Sequence, residues 1–187
     1  MDQAAVILRG YVIERFRAEG IQMSPEELGG TPNELQGHEL NEMVDGLLET
    51  TEEINTNAEL QRLIREVPVH CIQDVFFATT KEIFTDGINL GKVAALYHLA
   101  YKLIHRAHTQ NQPQVMVNII NWTLHSVGLN ILEMCLMGSG ESKLPNDIQC
   151  IRRLFRPLPC FHILLPYSLI LKWIKYFFSH QSKHNSP

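Results

Sequence analysis

Ile88-Asn89-Leu90-Gly91-Lys92-Val93-Ala94-Ala95-Leu96-Tyr97-His98-Leu99-Ala100-Tyr101-Lys102-Leu103-Ile104-His105-Arg106-Ala107 decides how this chain folds. Val93, Ala94, Ala95, Leu96, Tyr97, Leu99, Ala100, Leu103 and Ile104 leave little room for a polar face. A helix apolar almost all round is either the buried centre of a bundle or a membrane segment. About 20 residues at a rise of 1.5 Å span roughly 30 Å, the thickness of a hydrocarbon core, so periodicity alone leaves both readings open.

The flanking segments carry the helical period. On the C-terminal side, Asn111-Gln112-Pro113 reads as a cap and first turn, and Val117, Ile120, Leu124 and Val127 follow with Trp122 alongside. On the N-terminal side, Ile72, Val75, Phe76, Ile83 and Phe84 mark a helix closed by Asp86-Gly87. Leu60, Leu63, Ile64 and Val67 form a short piece ended by Pro68. Leu40, Met43, Val44, Leu47 and Leu48 repeat at helical spacing. They predict an amphipathic helix over residues 39–57 with an acidic outer face of Glu39, Glu42, Asp45, Glu49, Glu52 and Glu53. Residues 21–34 read as a loop in which Ser24, Pro25 and Glu27 suit a capping box. From Gln3 to Gly20, Ala5, Leu8, Val12 and Phe16 form the inward stripe, with Arg9, Glu14, Arg15 and Arg17 expected mostly elsewhere. No strand-like alternation persists. The expected class is all-α, a helical bundle of amphipathic helices around one apolar central helix.

Composition agrees. The 187 residues are enough for one substantial core and few for two. Lys and Arg total 16 against 20 Asp and Glu, for a net charge of −4, which argues against a nucleic-acid partner. The four cysteines, Cys71, Cys135, Cys150 and Cys160, lack paired spacing and suggest a reducing compartment. The N-terminus lacks the pattern of a secretory signal.

No catalytic constellation stands out. His70-Cys71 reads as a helix start with a buried thiol, since adjacency alone makes no dyad. His98, His105 and His108 read as partly exposed helix histidines; no carboxylate is spaced to complete a metal site. Gly138-Ser139-Gly140-Glu141-Ser142 lacks the Lys and preceding strand of a phosphate loop. No metal and no cofactor is expected.

Phe84-Thr85-Asp86-Gly87-Ile88-Asn89-Leu90-Gly91-Lys92-Val93-Ala94-Ala95-Leu96 resembles the first homology motif of the B-cell-lymphoma (Bcl) family of apoptosis regulators. The family centre Asn-Trp-Gly-Arg stands here as Asn89-Leu90-Gly91-Lys92. Ala58-Glu59-Leu60-Gln61-Arg62, Asp74-Val75-Phe76-Phe77 and Lys81-Glu82-Ile83-Phe84 resemble the Bax-like branch, and Ile119-Ile120-Asn121-Trp122-Thr123-Leu124 is similar to the opening of the second homology motif. The likeness runs over about residues 3–127.

The resemblance implies a toroid-like bundle over residues 1–150 with a divergent hydrophobic segment at 151–187. It implies a death-motif helix bearing Met43, Leu47, Thr50, Thr51, Glu52 and Ile54, with Leu47 at the invariant leucine. Thr51 then replaces a small residue, Glu52 the Asp, and Thr50 an apolar anchor. Asn89, Leu90, Gly91, Lys92, Val93 and Leu96 would belong to the groove, and Asn121, Trp122, Thr123 and Leu124 to the second motif. Glu52 and Lys92 fall at the positions whose acid and base pair across the family's groove. The Gly-Gly-Trp ending of the second motif is missing.

Function follows the same resemblance. It implies a latent cytoplasmic protein that moves to the mitochondrial outer membrane. There it exposes its death motif, dimerises groove to helix with itself or other Bcl-family proteins, and oligomerises. The apolar segments 88–107 and 113–134 would form the membrane-engaging hairpin. Two alternatives are a module that sequesters death-motif partners without permeabilising anything and an inactive or dominant-negative altered-terminus variant. Thr50 and Thr51 favour the first alternative, and the loss of likeness after residue 127 motivates the second.

The C-terminal stretch holds Phe161, Leu164, Leu165, Leu169, Ile170, Leu171 and Trp173, interrupted by Pro166 and followed by Lys175. It is shorter than the roughly 20 apolar residues of a spanning helix, so a weak, reversible membrane tail is expected.

Overall fold

A computed structural model describes residues 2–34 and 37–138. The tail positions Phe161 to Trp173, the loop after Gly138 and the expected boundary at residue 150 lie outside the described residues. Seven helices occur among the described residues: α1 (Asp2–Ala18), α2 (His38–Thr50), α3 (Glu52–Asn55), α4 (Ala58–Arg65), α5 (Ile72–Ile83), α6 (Leu90–Thr109) and α7 (Pro113–Gly138). Short 3-10 turns lie at Pro25–Leu28 and Val69–Cys71, and no strand is present among these residues.

The apolar segment 88–107 is the hub of the bundle. α6 touches each of the other six helices. Ala94, Leu96, Ala100, Leu103, Ile104 and Ala107 are fully or almost fully buried along its length. Its start is set by Asn89, whose side-chain carbonyl accepts from the Lys92 N–H at 2.9 Å. The reversal before it uses Gly87 at φ +90°, a conformation that favours glycine. Asn57 caps α4 in the same way, accepting from Leu60 N–H at 2.9 Å.

α1 buries Leu8, Tyr11, Val12, Ile13 and Phe16 against α6, which fixes it as an inner helix. The loop after it is pinned twice. Ser24 N–H donates to the Glu27 carboxylate at 2.7 Å, as the capping-box spacing predicts. The Arg9 guanidinium and the Glu34 carboxylate form a mostly buried bidentate pair. Gly30 lies so close to this pair that a Cβ there would collide with it. Leu28 is fully buried, and Gly29 at φ +76° lies where a Cβ would meet the Val117 side chain of α7 at 3.0 Å. The turn at Pro25–Leu28 is thus seated on α7.

Two sequence expectations are corrected here. The acidic helix of 39–57 is not continuous: it breaks at Thr51 (φ −99°, ψ 5°) into α2 and the single-turn α3. Arg15 does not lie off the inward stripe of α1. It is buried, because its position four residues after Tyr11 places it on the same face.

Candidate functional site

The break between α2 and α3 sits over a buried polar cluster. Tyr11 and Arg15 come from α1, Thr51 from the junction and His98 from α6. Tyr11, Thr51 and His98 are all essentially inaccessible. The Tyr11 hydroxyl lies 2.7 Å from Thr51 Oγ1 and 2.8 Å from His98 Nδ1, and Arg15 Nε approaches it at 3.3 Å. Thr51 Oγ1 donates to the Leu47 carbonyl at 2.7 Å. Arg15 Nη2 donates to Thr51 Oγ1 at 2.7 Å and to the Leu48 carbonyl at 2.9 Å, and Nη1 reaches the Glu52 carboxylate at 2.8 Å.

Either oxygen can donate in the Tyr11–Thr51 bond, and the direction of the Tyr11–His98 bond follows the ring tautomer. His98 Nε2 is buried without a partner among the described residues. Burial holds the His98 pKa well below the usual histidine range, with the charges of Lys102 and Arg15 adding to the effect. Burial likewise raises the Tyr11 hydroxyl pKa, so it stays protonated. The hydrogen bond from Arg15 lowers the pKa of Glu52. Arg15 therefore fastens the α2–α3 junction to the bundle by one charged and two backbone or hydroxyl contacts.

The expected death-motif residues are distributed as follows. Thr51 and Ile54 are buried, Leu47 is half-buried against the core, and Met43 is 46% exposed. Val44 is buried where Met43 is not. In the resting chain Thr50 faces solvent, and its hydroxyl is satisfied by the Gly46 carbonyl at 2.7 Å. The next residue, Thr51, is the inward one, about 100° further round the axis.

Glu52 and Lys92 are not in direct contact in the resting chain. Glu52 is held by Arg15, while Lys92 Nζ donates to the Gly87 carbonyl at 2.9 Å. Lys92 thereby closes the turn that begins α6, a local partner more easily reached than a carboxylate across the bundle. His98 is a third correction, since it is buried and not partly exposed. It sits on a helix with no exposed face at that level.

Of the first-motif residues, Leu96 is buried, Val93 and Gly91 are half-buried, and Asn89 acts as the cap. Leu90 is 80% exposed, an apolar side chain standing at the head of α6. In the second motif Thr123 is buried and bonds the Ile119 carbonyl at 2.7 Å, Asn121 is exposed and Leu124 half-buried. Trp122 packs against Phe76 and Phe77 with ring centroids 5.9 and 5.5 Å apart. α5, the head of α6 and α7 are therefore joined through aromatic and aliphatic contacts on one side of the bundle.

Arg15, Tyr11 and His98 were absent from the expected site. Their signal was available: Leu8, Tyr11, Arg15 fall at i, i+3, i+7, and an ionisable residue on a buried stripe requires partners. Among the described residues no group of three or more His, Cys, Asp or Glu side chains is placed to hold a metal.

The chain is therefore of the class of all-α bundles wrapped on one apolar helix, with α2–α3 fastened over its side. The model of the Bcl-2 family, apoptosis regulator proteins, matches residues 39–135, and the chain belongs to that family. Apoptosis regulator BAX of Bos taurus is 32% identical over 125 residues, 66% of this chain, and that of Homo sapiens is 31% identical over the same length. The matched segment spans 64% of each of these relatives. The crystal structure of chicken BOK aligns with a TM-score of 0.53 at 25% identity, covering 65% of this chain and 79% of that one. The chain thus carries the all-α bundle expected from its sequence and is similar to BAX and BOK over the matched segment.

Proposed function

We propose that this chain promotes permeabilisation of the mitochondrial outer membrane in the Bax-like manner. The α2–α3 helix leaves the bundle, inserts in the groove of a second copy or of another Bcl-family protein, and the dimers oligomerise in the membrane. One observation carries this reading. α2–α3 is held largely by the polar cluster around Arg15 and by few fully buried apolar side chains, chiefly Val44 and Ile54. Releasing it costs less apolar burial than displacing α1, α5 or α6 would. In the released helix, Leu47, Ile54 and Met43 become anchors for a groove formed by α5, Val93, Leu96 and Trp122.

α7 supports the membrane step. Pro113–Glu133 is long and apolar enough to cross a membrane by length and composition, and only a third of that stretch is buried. Together with α6 it forms the proposed hairpin. Cytoplasmic storage and movement to the mitochondrial outer membrane belong to the same proposal, as does the division at residue 150 with a reversible tail beyond it.

Dye release from outer-membrane-like liposomes tests the reading. The full chain should release dye when given an activating death-motif peptide. A second reading, sequestration of death-motif partners, is favoured by Thr51, whose bonds tighten the closed state. Peptide binding with no release at any protein concentration would establish it and refute permeabilisation.

A further inference from the structure

A cleft of about 460 Å³ opens between the ends of α1, α4 and α6, away from the motif and groove residues above. Glu19, Ile64, Arg65, Lys102, His105 and Arg106 contribute to its lining. Three cations thus converge on it, and none has a carboxylate within ion-pairing distance among the described residues. The Glu19 carboxylate is already divided between the Tyr101 hydroxyl and His105 Nε2.

The two guanidinium groups are oriented. Arg65 Nε donates to the Gln61 carbonyl at 3.2 Å and Arg106 Nε to the Val67 carbonyl at 3.0 Å. Each is fixed at one edge, and its terminal nitrogens remain for another acceptor. Cations in the last turn of a helix are also ordinary complements of the helix dipole, which accounts in part for Arg65 and Arg106. It does not account for Lys102, which stands about two turns before the end of α6. Lys102 is half-buried, with its ammonium 4.6 Å from the Tyr101 ring centroid. Burial lowers the Lys102 pKa, and the neighbouring charges of Arg15 and Arg65 push the same way against Glu19 and Glu52. An ammonium so placed is stabilised by an incoming anion. A tetrahedral oxyanion with several acceptors fits two fixed guanidinium edges and one ammonium better than a single carboxylate does.

We propose that this cleft binds the phosphate group of a phosphate monoester, held by Arg65, Lys102 and Arg106. The group is shared by soluble phosphates and by a monoester lipid headgroup, so both are tested with the full chain. Inorganic phosphate is titrated while the amide resonances are followed, and flotation is measured on phosphatidylcholine vesicles with and without phosphatidic acid. Phosphate should shift resonances of residues 61–65 and 102–110 at about millimolar concentration, weakening as ionic strength rises. Arg65→Gln and Lys102→Gln should each weaken binding about tenfold, the size of one charge-assisted contact. Arg62→Gln removes the same charge from the same helix outside the cleft and should change affinity by less than about twofold. Arg65 is exposed, so Arg65→Gln keeps the test open if Lys102→Gln fails to fold. Competition between phosphate and phosphatidic-acid vesicles would identify the headgroup as a source; phosphate binding without flotation would identify soluble phosphates. No shift at about 50 mM phosphate, or equal losses in Arg62→Gln and Arg65→Gln, overturns the proposal.

Discussion

Arg15 Nη1 and Glu52 Oε2 are 2.8 Å apart, yet the Arg15 side chain is 6% exposed and that of Glu52 58%. The two ends of this ion pair are in different media. Water replaces Arg15 easily as a partner for Glu52, and nothing replaces the carbonyl, hydroxyl and carboxylate around Arg15. The pair is therefore unequal under mutation. Glu52→Gln should lower stability by less than about 1 kcal/mol, as for other solvent-screened pairs. Arg15→Met, which leaves the Leu48 carbonyl and the hydroxyl cluster short of donors, should cost about 1–3 kcal/mol. Urea denaturation of the two variants gives the comparison, and equal costs would refute the asymmetry.

The two adjacent threonines should behave as opposites. Thr51→Val keeps the shape but takes the hydroxyl partner from Tyr11 and Arg15, at an expected cost of about 1–3 kcal/mol. Thr50→Val alters a solvent-facing hydroxyl bonded to its own helix and should stay within about 0.5 kcal/mol. A thermal melt in which Thr50→Val is the more damaging of the two would reverse the assignment of faces.

Anchor positions can be ranked by truncation. Ile54 is 4% exposed and Leu47 only half-buried. Ile54→Ala should cost about 2–5 kcal/mol in the resting protein, and Leu47→Ala roughly half as much. In groove binding by a peptide of residues 38–57 the order should invert, with Leu47→Ala the more severe. Matching orders in the two measurements would show that the resting and the bound helix use the same face in the same way.

His98 makes stability depend on pH. Its folded pKa is lowered, so the unfolded chain binds the extra proton first as pH falls. The contribution is full above the ordinary histidine pKa of about 6.5 and is lost on acidification below it, at up to about 1.4 kcal/mol per pH unit. Glu52 acts in the same direction at lower pH, because its folded pKa is also lowered. His98→Phe should flatten the slope between about pH 6.5 and 5 relative to wild type, whatever its effect at neutral pH. Parallel stability curves for the two proteins would show that His98 is not held neutral.

The sequence made the hub legible because apolar side chains on nearly all sides of α6 leave no surface position in its middle, residues 94–101. The capping box was legible for a local reason: Ser24 and Glu27 are three residues apart. Partners distant in the chain were not. Arg15 reads as a surface charge until Tyr11, Thr51 and Glu52 are brought to it over as many as 37 positions. His98 was misjudged by residue type, although its apolar neighbours Tyr97, Leu99 and Ala100 signalled burial. The Glu52–Lys92 pairing came from the resemblance. Neither side chain is idle in the resting protein: one is claimed by α1 and the other by the Gly87 carbonyl.

The 3-10 turn at Pro25–Leu28 imposes a chronology. Leu28 and Gly29 press on α7 at Val117, and the Arg9–Glu34 pair ties the same loop back to α1. The loop cannot swing off α7 without parting Arg9 from Glu34. If α7 enters lipid as proposed, undocking of the first loop must precede commitment of the apolar hairpin. A fastening between loop and helix, such as paired cysteines at Gly29 and Val117, would arrest the sequence at its first step.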